Sequence, residues 1–404
     1  MSTSLLYHGF GIVGYQYVHT RYENGSIIFR ITEDHFSHKC SICKSRHIIR
    51  RGKKLRRFRS IPIGTTPVFI EIEIQRVYCL ACQVVRQVKL AFAKRRRTYT
   101  RAFERYVLGL SRFMTILDVA KHLGVSWGTI KEIQKRYLLK RYSRPSLKNI
   151  DCIAIDEISI GKGHRYLTVV LNLKTGAVIF VGEGKGAEAL APFFSRLKRS
   201  KVEVKAVAID MSPAYTAAVI DKLPRAAIVF DHFHVIKMFN EKLSEFRRAL
   251  YNEAQKISEK QVLKGTRWLL MKNPENLNKE KDEHHRLAQA LKLNQPLATA
   301  YYLKEDLRQF WKQKNKKSAK KHIFHWIAKA ESTKIPMLTK FAKTLRAHMF
   351  GLLTYYDFSI STGPLEGTNN KIKTLQKQAY GFRDLQFFKL KILALHETKY
   401  ALIG

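Results

Sequence analysis

The order of strands and helices between residues 152 and 230 constrains the fold most strongly. Three strand-like runs come first, at residues 152–160, 165–173 and 177–181. A helix, a strand, a second helix and a second strand then follow, at residues 186–199, 203–210, 213–223 and 226–230. Three successive strands followed by alternating helices and strands predict an α/β fold with a ribonuclease-H-like sheet.

Acidic residues directly follow the apolar runs in two of these strands. The apolar run 152–155 leads into Asp156, the run 207–209 leads into Asp210, and Glu366 opens a helix-like segment near the end of the chain. Carboxylates from separate segments hold the paired divalent ions that activate an attacking oxygen and stabilise a leaving oxygen in phosphoryl transfer. We therefore expect Asp156 to bridge two Mg2+ or Mn2+ ions, and Asp210 and Glu366 to hold one each.

Each of these acids, taken alone, has a simpler interpretation. A lone aspartate after an apolar strand is usually a turn residue or a helix cap. Glu157 and Asp231 are also contenders for a ligand role. The prediction of a metal site therefore depends on three acids occurring in order within one compatible fold.

The charge of the chain points to its partner. The 404 residues include 74 Lys and Arg against 32 Asp and Glu, a formal net charge of +42. An ordinary solvated surface needs far less charge than this, so nucleic acid is the expected partner. An anionic membrane is a poorer candidate, because the sequence has no apolar run of about 18 residues, signal peptide or lipidation motif. We expect a cytosolic protein with no membrane contact.

Four of the five cysteines form two matched pairs, Cys40-x2-Cys43 and Cys79-x2-Cys82. In a cytosolic protein such pairs are typical of a tetrahedral zinc site rather than of disulfides. Strand-like alternation over 68–74 leads into the second pair, as in a zinc ribbon. Free thiols or a redox pair would not require two matched pairs. We expect structural Zn2+ at these four residues and a core position for Cys152.

Residues 117–131 have the pattern of a helix-turn-helix. Gly124 suits the left-handed turn position and Ser126 is suited to cap the second helix, which would begin near Trp127. The residues predicted to form the shared core are Val119, Leu123, Val125, Ile130 and Ile133. The residues predicted at a DNA interface are Ser126, Trp127, Thr129 and Lys131. A purely structural helical hairpin is the alternative.

Two further basic runs accompany these modules. The run 50–57 is interpreted as a basic loop inside the zinc module. The run Lys94-Arg95-Arg96-Arg97 is interpreted as a linker. Its Arg95, Arg96 and Arg97 either follow DNA phosphates or enter a minor groove, or they form an inert solvated hinge.

These observations predict five segments along the chain. They are a zinc-ribbon module over 1–93, a linker and helix-turn-helix over 94–149, the first part of the core over 150–235, a helical insertion over 236–350, and the last part of the core, with Glu366, over 351–404. The insertion is lysine-rich and has no strand-like run, with breaks at Gly265, Pro274, Pro296 and Pro336. Its expected role is DNA or subunit contact, or structure alone.

The layout resembles the bacterial insertion-sequence DDE transposases, and specifically the ISL-three family. That family has a four-cysteine zinc ribbon, a helix-turn-helix, a ribonuclease-H-like core and a long helical insertion before the last acid. The resemblance runs from about residue 35 to the end of the chain. The segments that carry it are 155–157, 208–212, 229–235, 363–373 and 379–383.

The resemblance implies a function and a set of site residues. Asp156, Asp210 and Glu366 match the metal ligands, and Lys373 matches a basic position near the transposon end. Asp231 and His234 match a family motif, for which a supporting role through hydrogen bonds and a purely structural role both remain open. The implied partners are double-stranded DNA, as terminal inverted repeats and as target, and a second copy of the chain on DNA. The implied location is the bacterial cytoplasm, in association with the nucleoid.

The activity implied is cleavage of the strand at each transposon end and joining of the freed 3′-OH to target DNA. Two other classes compete with it. A non-catalytic DNA-binding regulator would need only the zinc and helix-turn-helix modules, and it leaves the ordered acids unexplained. A ribonuclease-H-like nuclease would cut without joining and would have little use for two sequence-reading modules.

Overall fold

A computed structural model describes residues 5–33 and 38–396 of the protein. The chain forms two compact units, one from residues 1–143 with 375–404 and one from 144–374. The predicted last part of the core, over 351–404, is therefore divided between the two units, since only its residues up to 374 lie in the unit that contains the core sheet.

The first unit contains a five-stranded sheet. Its strands are β1 (Tyr15–Glu23), β2 (Ser26–Glu33), β3 (Ile48–Arg59), β4 (Val68–Cys79) and β5 (Val84–Gln87). They are ordered β1-β2-β4-β3, and β5 also pairs with β4. Alternate apolar residues of β4, from Val68 to Ile74, are buried beneath the sheet with Phe58 and Phe92. The alternation read from the sequence is therefore that of the central strand of this sheet.

The prediction that residues 50–57 form a basic loop is wrong. These residues lie within β3, which pairs with β4 along most of its length in antiparallel register. Arg57 is the register partner of Glu71, and its Nε donates to Glu71 Oε2 at 2.6 Å. Arg21 and Arg30 bind the same buried carboxylate. Because β4 supplies both the backbone ladder and a counter-charge, a run of cations is stable here as an exposed strand.

The helices of the first unit include the predicted helix-turn-helix. They are α1 (Leu5–Phe10), α2 (Arg101–Leu110), α3 (Ile116–Leu123), α4 (Trp127–Tyr142) and, from the C-terminal segment, α16 (Leu385–Ala394). Gly124 ends α3 at φ +60°, ψ +41°, and the Ser126 side chain caps α4, as predicted. Val119, Leu123, Ile130 and Ile133 are buried in the shared core, and Val125 is partly buried against it.

The second unit contains the core sheet. Its strands are β6 (Cys152–Gly161), β7 (Arg165–Asn172), β8 (Val178–Glu183), β9 (Ala206–Ile209) and β10 (Ala227–Phe230). The sheet order is β10-β9-β6-β7-β8. β6, β7 and β8 pair antiparallel, whereas β9 and β10 run parallel to β6. This ribonuclease-H-like topology confirms the predicted fold class.

Helices make up the rest of the second unit. They are α5 (Ala187–Ser200), α6 (Pro213–Lys222), α7 (His232–Glu253), α8 (Ile257–Gly265), α9 (Arg267–Met271), α10 (Glu283–Leu293), α11 (Gln295–Arg308), α12 (Lys316–Ser332), α13 (Pro336–Ala347), α14 (Met349–Leu353) and α15 (Gly363–Gln378), whose last four residues belong to the first unit. Between β10 and α15 the described chain is helical wherever it is regular, and Gly265, Pro274, Pro296 and Pro336 all lie at helix ends. The sheet and these helices share one continuous hydrophobic core.

No helix in the described part of the chain combines the length and the apolar character needed to cross a membrane.

A close approach at Gly351 fixes α14 against the end of β10. A Cβ at this position would overlap the Phe230 ring. We expect Gly351→Ala to lower the free energy of unfolding of the second unit by about 1–3 kcal/mol, because the buried ring has no room to move. Denaturant unfolding followed by tryptophan fluorescence measures this, since Trp268, Trp311 and Trp326 lie in that unit.

Gly367→Ala is the matched control, because no atom lies within 4 Å of its added Cβ and the residue is in the interior of α15. It should raise stability by about 0.5–1 kcal/mol through helix propensity. Equal effects of the two substitutions would contradict the packing described for Gly351.

Candidate active site and zinc centre

Three aspartates stand at one edge of the core sheet. The parallel register pairs Ala154 with Ala208, and Asp156 and Asp210 each follow two residues later. Ile209 pairs with Phe230, so that Asp210 and Asp231 directly follow β9 and β10. Asp156 lies in the middle of β6, two residues beyond its last pairing with β9, so the register brings it into one row with the acids at the carboxyl ends of β9 and β10, where open α/β sheets bind ligands.

Asp156 is half-buried and held on both of its oxygens. Its Oδ1 accepts from the backbone N–H of Glu157 at 2.8 Å, and its Oδ2 accepts from the side-chain amide of Asn369 at 2.9 Å. Burial raises the pKa of Asp156, and the charges of Asp210 and Glu157 act in the same direction. A bound divalent cation would offset the repulsion between these carboxylates. Carboxylate oxygens are also the ligands that Mg2+ and Mn2+ prefer.

Asp231 and His234 hold the start of α15. Asp231 is buried, and its Oδ1 accepts from the backbone N–H of Thr362 at 3.2 Å. Its Oδ2 lies 3.2 Å from Nδ1 of His234, which is also 3.4 Å from the Thr362 hydroxyl. Although burial acts to raise it, the hydrogen bonds with His234 and Thr362 hold the pKa of Asp231 below its usual range. Although burial acts to lower it, the Asp231 hydrogen bond and the charge of Asp156 raise the pKa of His234.

Glu366 lies in the first turn of α15 and is exposed. Its helix reaches the other acids through two contacts, Thr362 to Asp231 and Asn369 to Asp156. The carboxylates of Asp156, Asp210 and Glu366 do not converge as closely as the zinc cysteines. Within the described residues, only those cysteines form a set of three or more metal-ligand candidates with all donor atoms within 4.8 Å. A site for two ions about 4 Å apart needs a wider spread of ligands than a site for one ion.

Glu157 points into a polar network that the sequence did not reveal. The hydroxyl of buried Tyr215 donates to Glu157 Oε2 at 3.1 Å, lies 3.1 Å from the Thr168 hydroxyl, and accepts from the backbone N–H of Gly186 at 3.2 Å. Burial raises the pKa of Tyr215 to about 12. Glu157 therefore has a protein partner, as Asp156 does, and both carboxylates remain candidates for a metal ligand.

The four predicted zinc ligands form one cluster in the first unit. The Sγ atoms of Cys40, Cys43, Cys79 and Cys82 all lie within 4.8 Å of one another. The Cys43 and Cys79 sulfurs are 3.5 Å apart, close to the sulfur spacing of about 3.8 Å that tetrahedral Zn–S bonds of ~2.3 Å require. Thiolates at this spacing fit Zn2+, as predicted.

Each cysteine pair forms the same local turn. Lys44 and Gln83, directly after the second cysteine of each pair, have φ of 65° and 53°. Their backbone N–H groups donate to the carbonyls of Cys40 and Cys79. A backbone N–H from Ile42 directed at the sulfur lowers the pKa of Cys40 to about 6, which favours the thiolate that zinc binds.

The N-terminal end of α4 presents two of the predicted DNA-binding residues to solvent. Trp127 is 58% exposed. Ser126 is also exposed, but its hydroxyl is engaged with Thr129, whose backbone N–H it accepts at 3.3 Å. Lys373 is exposed on α15, in the second unit for this part of the helix.

Lys131 has a protein partner that the sequence did not predict. Its Nζ lies 2.9 Å from Oδ2 of Asp384, which also binds Lys135 at 2.9 Å. Asp384 caps α16 through the backbone N–H of Phe387. Although burial opposes it, this capping bond and the two lysines lower the pKa of Asp384 to about 2. The start of α16 therefore lies against the face of α4 that carries Lys131 and Lys135.

The predicted linker is fastened at both ends. Lys94 binds Glu104 at 2.7 Å, and Arg97 binds Glu132 of α4 at 2.6 Å. Arg95 and Arg96 between them are exposed. Both interpretations of the run, contact with DNA phosphates and an inert solvated hinge, remain open, and Arg95 and Arg96 are its most exposed arginines.

The zinc centre makes a direct prediction. We expect Cys43→Ser to lose the roughly one equivalent of zinc per chain that a four-cysteine site binds, because three thiolates leave the coordination shell open. Metal analysis of the purified protein measures this, and hydrogen exchange should rise in β3 and β4 together. Cys152→Ser, outside the cluster, is the control and should keep its zinc. Zinc retained by both variants would contradict the assignment.

Three family models match the chain. A transposase model of the ISL3 type matches residues 153–392, the helix-turn-helix domain of transposase family ISL3 matches 88–138, and the zinc-finger of transposases IS204/IS1001/IS1096/IS1165 matches 37–82. The zinc-finger match contains the cysteine cluster, and the helix-turn-helix match contains α3 and most of α4.

Curated proteins also match over most of their length. The chain is 32% identical over 363 residues to the transposase for insertion sequence element IS1001 of Bordetella parapertussis, covering 88% of each. It is 30% identical over 362 residues to the transposase for element IS1557 of Mycobacterium tuberculosis, covering 83% of this chain and 80% of that protein.

A solved structure titled Drosophila P element transposase strand transfer complex is similar over 74% of this chain and 93% of that one, at 11% identity and a TM-score of 0.40. That likeness is too distant to support an argument. The family models and the curated relatives suffice: the chain belongs to the ISL3 family of DDE transposases.

Proposed function

We propose that this transposase binds terminal inverted repeats, hydrolyses one strand at each transposon end and joins the freed 3′-OH to target DNA. The observation that supports this best is the row formed by Asp156 in β6 and the acids that follow β9 and β10, with the Glu366 helix tied to that row. A DNA-binding regulator has no use for such a row, which concentrates negative charge in a protein of net charge +42.

In the first proposed step, a water oxygen attacks phosphorus and the bond to the 3′ oxygen breaks, which leaves a 3′-OH and a 5′-phosphate. In the second step, that 3′-OH attacks a target phosphodiester, so that one P–O bond forms as another breaks. When bound, Mg2+ or Mn2+ supplies charge stabilisation to the attacking and leaving oxygens. Asp156, Asp210 and Glu366 are the residues we assign as its ligands, and no covalent protein–DNA intermediate is needed.

Asp231 and His234 have a supporting role in this proposal. Their hydrogen bonds to Thr362 fix where α15 begins and therefore where Glu366 lies relative to the other acids. A positioned carboxylate favours catalysis because small displacements of a ligand are costly at a metal site. This favours the supporting role of the pair over a purely structural one.

We propose DNA-binding residues in each unit, and those of the first unit include Ser126 and Trp127 at the exposed start of α4, with Thr129 next to them. Arg95 and Arg96 would contact phosphates, and Lys373 would contact the transposon end near Glu366. Lys131 would reach DNA only by exchanging Asp384 for a phosphate. Because two ends must be cut and joined together, we propose that two copies of the chain act on DNA.

The activity is tested by strand transfer on DNA that carries the terminal repeats flanking the gene, with Mg2+ or Mn2+. Asp156→Ala, Asp210→Ala and Glu366→Ala should each lose joined products by at least about 100-fold while keeping wild-type DNA affinity, because each removes a metal ligand. Asp221→Ala, an exposed acid of α6, is the control and should behave as wild type.

Three results would contradict the proposal. Binding without cleavage by the wild type would favour a regulator, and cleavage without joining would favour a nuclease. Joined products from Glu366→Ala at the wild-type rate would remove Glu366 from the catalytic set.

The phosphate contacts are tested by salt dependence. The logarithm of the DNA association constant falls linearly with the logarithm of the salt concentration, by about 0.9 for each phosphate contact. Replacing both Arg95 and Arg96 with Ala should therefore make this slope less negative by about 2. Replacing both Lys198 and Arg199, which are exposed on α5, removes the same charge and should leave the slope nearly unchanged. Equal changes in the two double variants would indicate that only net charge matters. Fluorescence anisotropy with labelled duplex measures both.

A further inference from the structure

Asn369 joins the Glu366 helix to the first strand of the core sheet. It lies three residues after Glu366, so the two side chains share one face of α15. Its Nδ2 donates to Oδ2 of Asp156 at 2.9 Å, across 213 residues of sequence. Asn369 is only 7% exposed, which means that this contact is shielded from water.

The other end of the same amide carries the more informative observation. The Oδ1 atom of Asn369 is buried and has no hydrogen-bond partner among the described residues. Turning the amide over would place its oxygen against the Asp156 carboxylate, acceptor against acceptor, so the Asp156 contact fixes its orientation. A buried acceptor without a partner destabilises the fold, and such a group in a native protein calls for a ligand or a water.

We propose that Asn369 belongs to the divalent-metal site, with its amide nitrogen holding Asp156 and its amide oxygen presented to the ion or to a water bound to it. The inference rests on the proposed function and adds Asn369 to the residues that hold the divalent ion. An asparagine side chain suits both tasks, because it combines a donor for a carboxylate with an oxygen of the kind that Mg2+ and Mn2+ bind. An apolar residue would supply neither group.

A purely structural role predicts something different. If Asn369 served only to hold α15, the contact between Thr362 and Asp231 would share that task. Metal affinity would then not depend on whether residue 369 carries a side-chain oxygen. The chain offers a matched control in Asn370, which has the same side chain on the same helix but is exposed.

The test is Mn2+ binding to the DNA-free, full-length protein, measured by electron paramagnetic resonance. We compare the wild type with Asp156→Ala, Asn369→Leu, Asn369→Asp and Asn370→Leu, and circular dichroism melting confirms that each variant is folded. Asn369→Leu keeps the volume and removes both polar groups. We expect it to weaken Mn2+ binding by about 10-fold or more, as loss of a residue that supports metal ligands does. Asn370→Leu should bind as the wild type does.

Asn369→Asp distinguishes an oxygen ligand from a structural bond. It keeps an oxygen at the position and loses the donor to Asp156, so we expect Mn2+ affinity equal to or greater than that of the wild type. Equal losses in the Leu and Asp variants, or wild-type affinity in Asn369→Leu, would overturn the inference and leave the proposed function intact. Wild-type binding that is indifferent to Asp156→Ala would instead contradict the proposed function.

Discussion

The parallel register of β6, β9 and β10 is the constraint on which the rest of this site depends. Parallel strands end at the same edge of a sheet, so the residues that follow them meet there whatever their distance along the chain. Here Asp210 and Asp231 follow β9 and β10, and the register aligns them with Asp156, which lies in the middle of β6 just beyond its pairing with β9. Burial raises the pKa of Asp156, and the nearby carboxylates of Asp210 and Glu157 add to this effect. Bound cations would offset the charge of such a row of carboxylates.

The three aspartates differ in what surrounds them, and this separates their roles. Asp231 is buried and already has protein donors, Thr362 and His234. Asp156 and Asp210 each accept a local backbone N–H, and Asp156 also accepts from Asn369, yet both carboxylates have lone pairs for further partners. We therefore propose that Asp231 positions α15 and that Asp156 and Asp210 hold the ions. The helical segment between β10 and α15 packs into the same hydrophobic core as the sheet.

Local features were predictable from the sequence because local forces determine them. Hydrophobic runs fixed the order of the core strands, and left-handed geometry at Gly124 and capping by Ser126 follow from residue type alone. The cysteine spacing predicted the cluster for the same reason. The prediction at residues 50–57 was wrong because composition favoured a loop, whereas the pairing of β3 with β4 is a tertiary contact.

The contacts at the site, and those between α4 and α16, could not be predicted, because they join residues far apart in the chain. Asn369 and Asp156 are 213 residues apart, Thr362 and Asp231 are 131 apart, and Lys135 and Asp384 are 249 apart. No periodicity encodes such pairs. The i, i+3 relation of Glu366 and Asn369 was the one local sign that Asn369 shares the face of the acid.

The central claim is that Asp156, Asp210 and Glu366 surround divalent ions at the edge of the core sheet. The most direct measurement is anomalous diffraction from crystals of the protein grown with Mn2+. The account predicts manganese peaks within about 2.2 Å of carboxylate oxygens from all three residues, distinct from the zinc peak at the four cysteines. Manganese bound elsewhere, or a filled zinc centre with no ion at these acids, would contradict it.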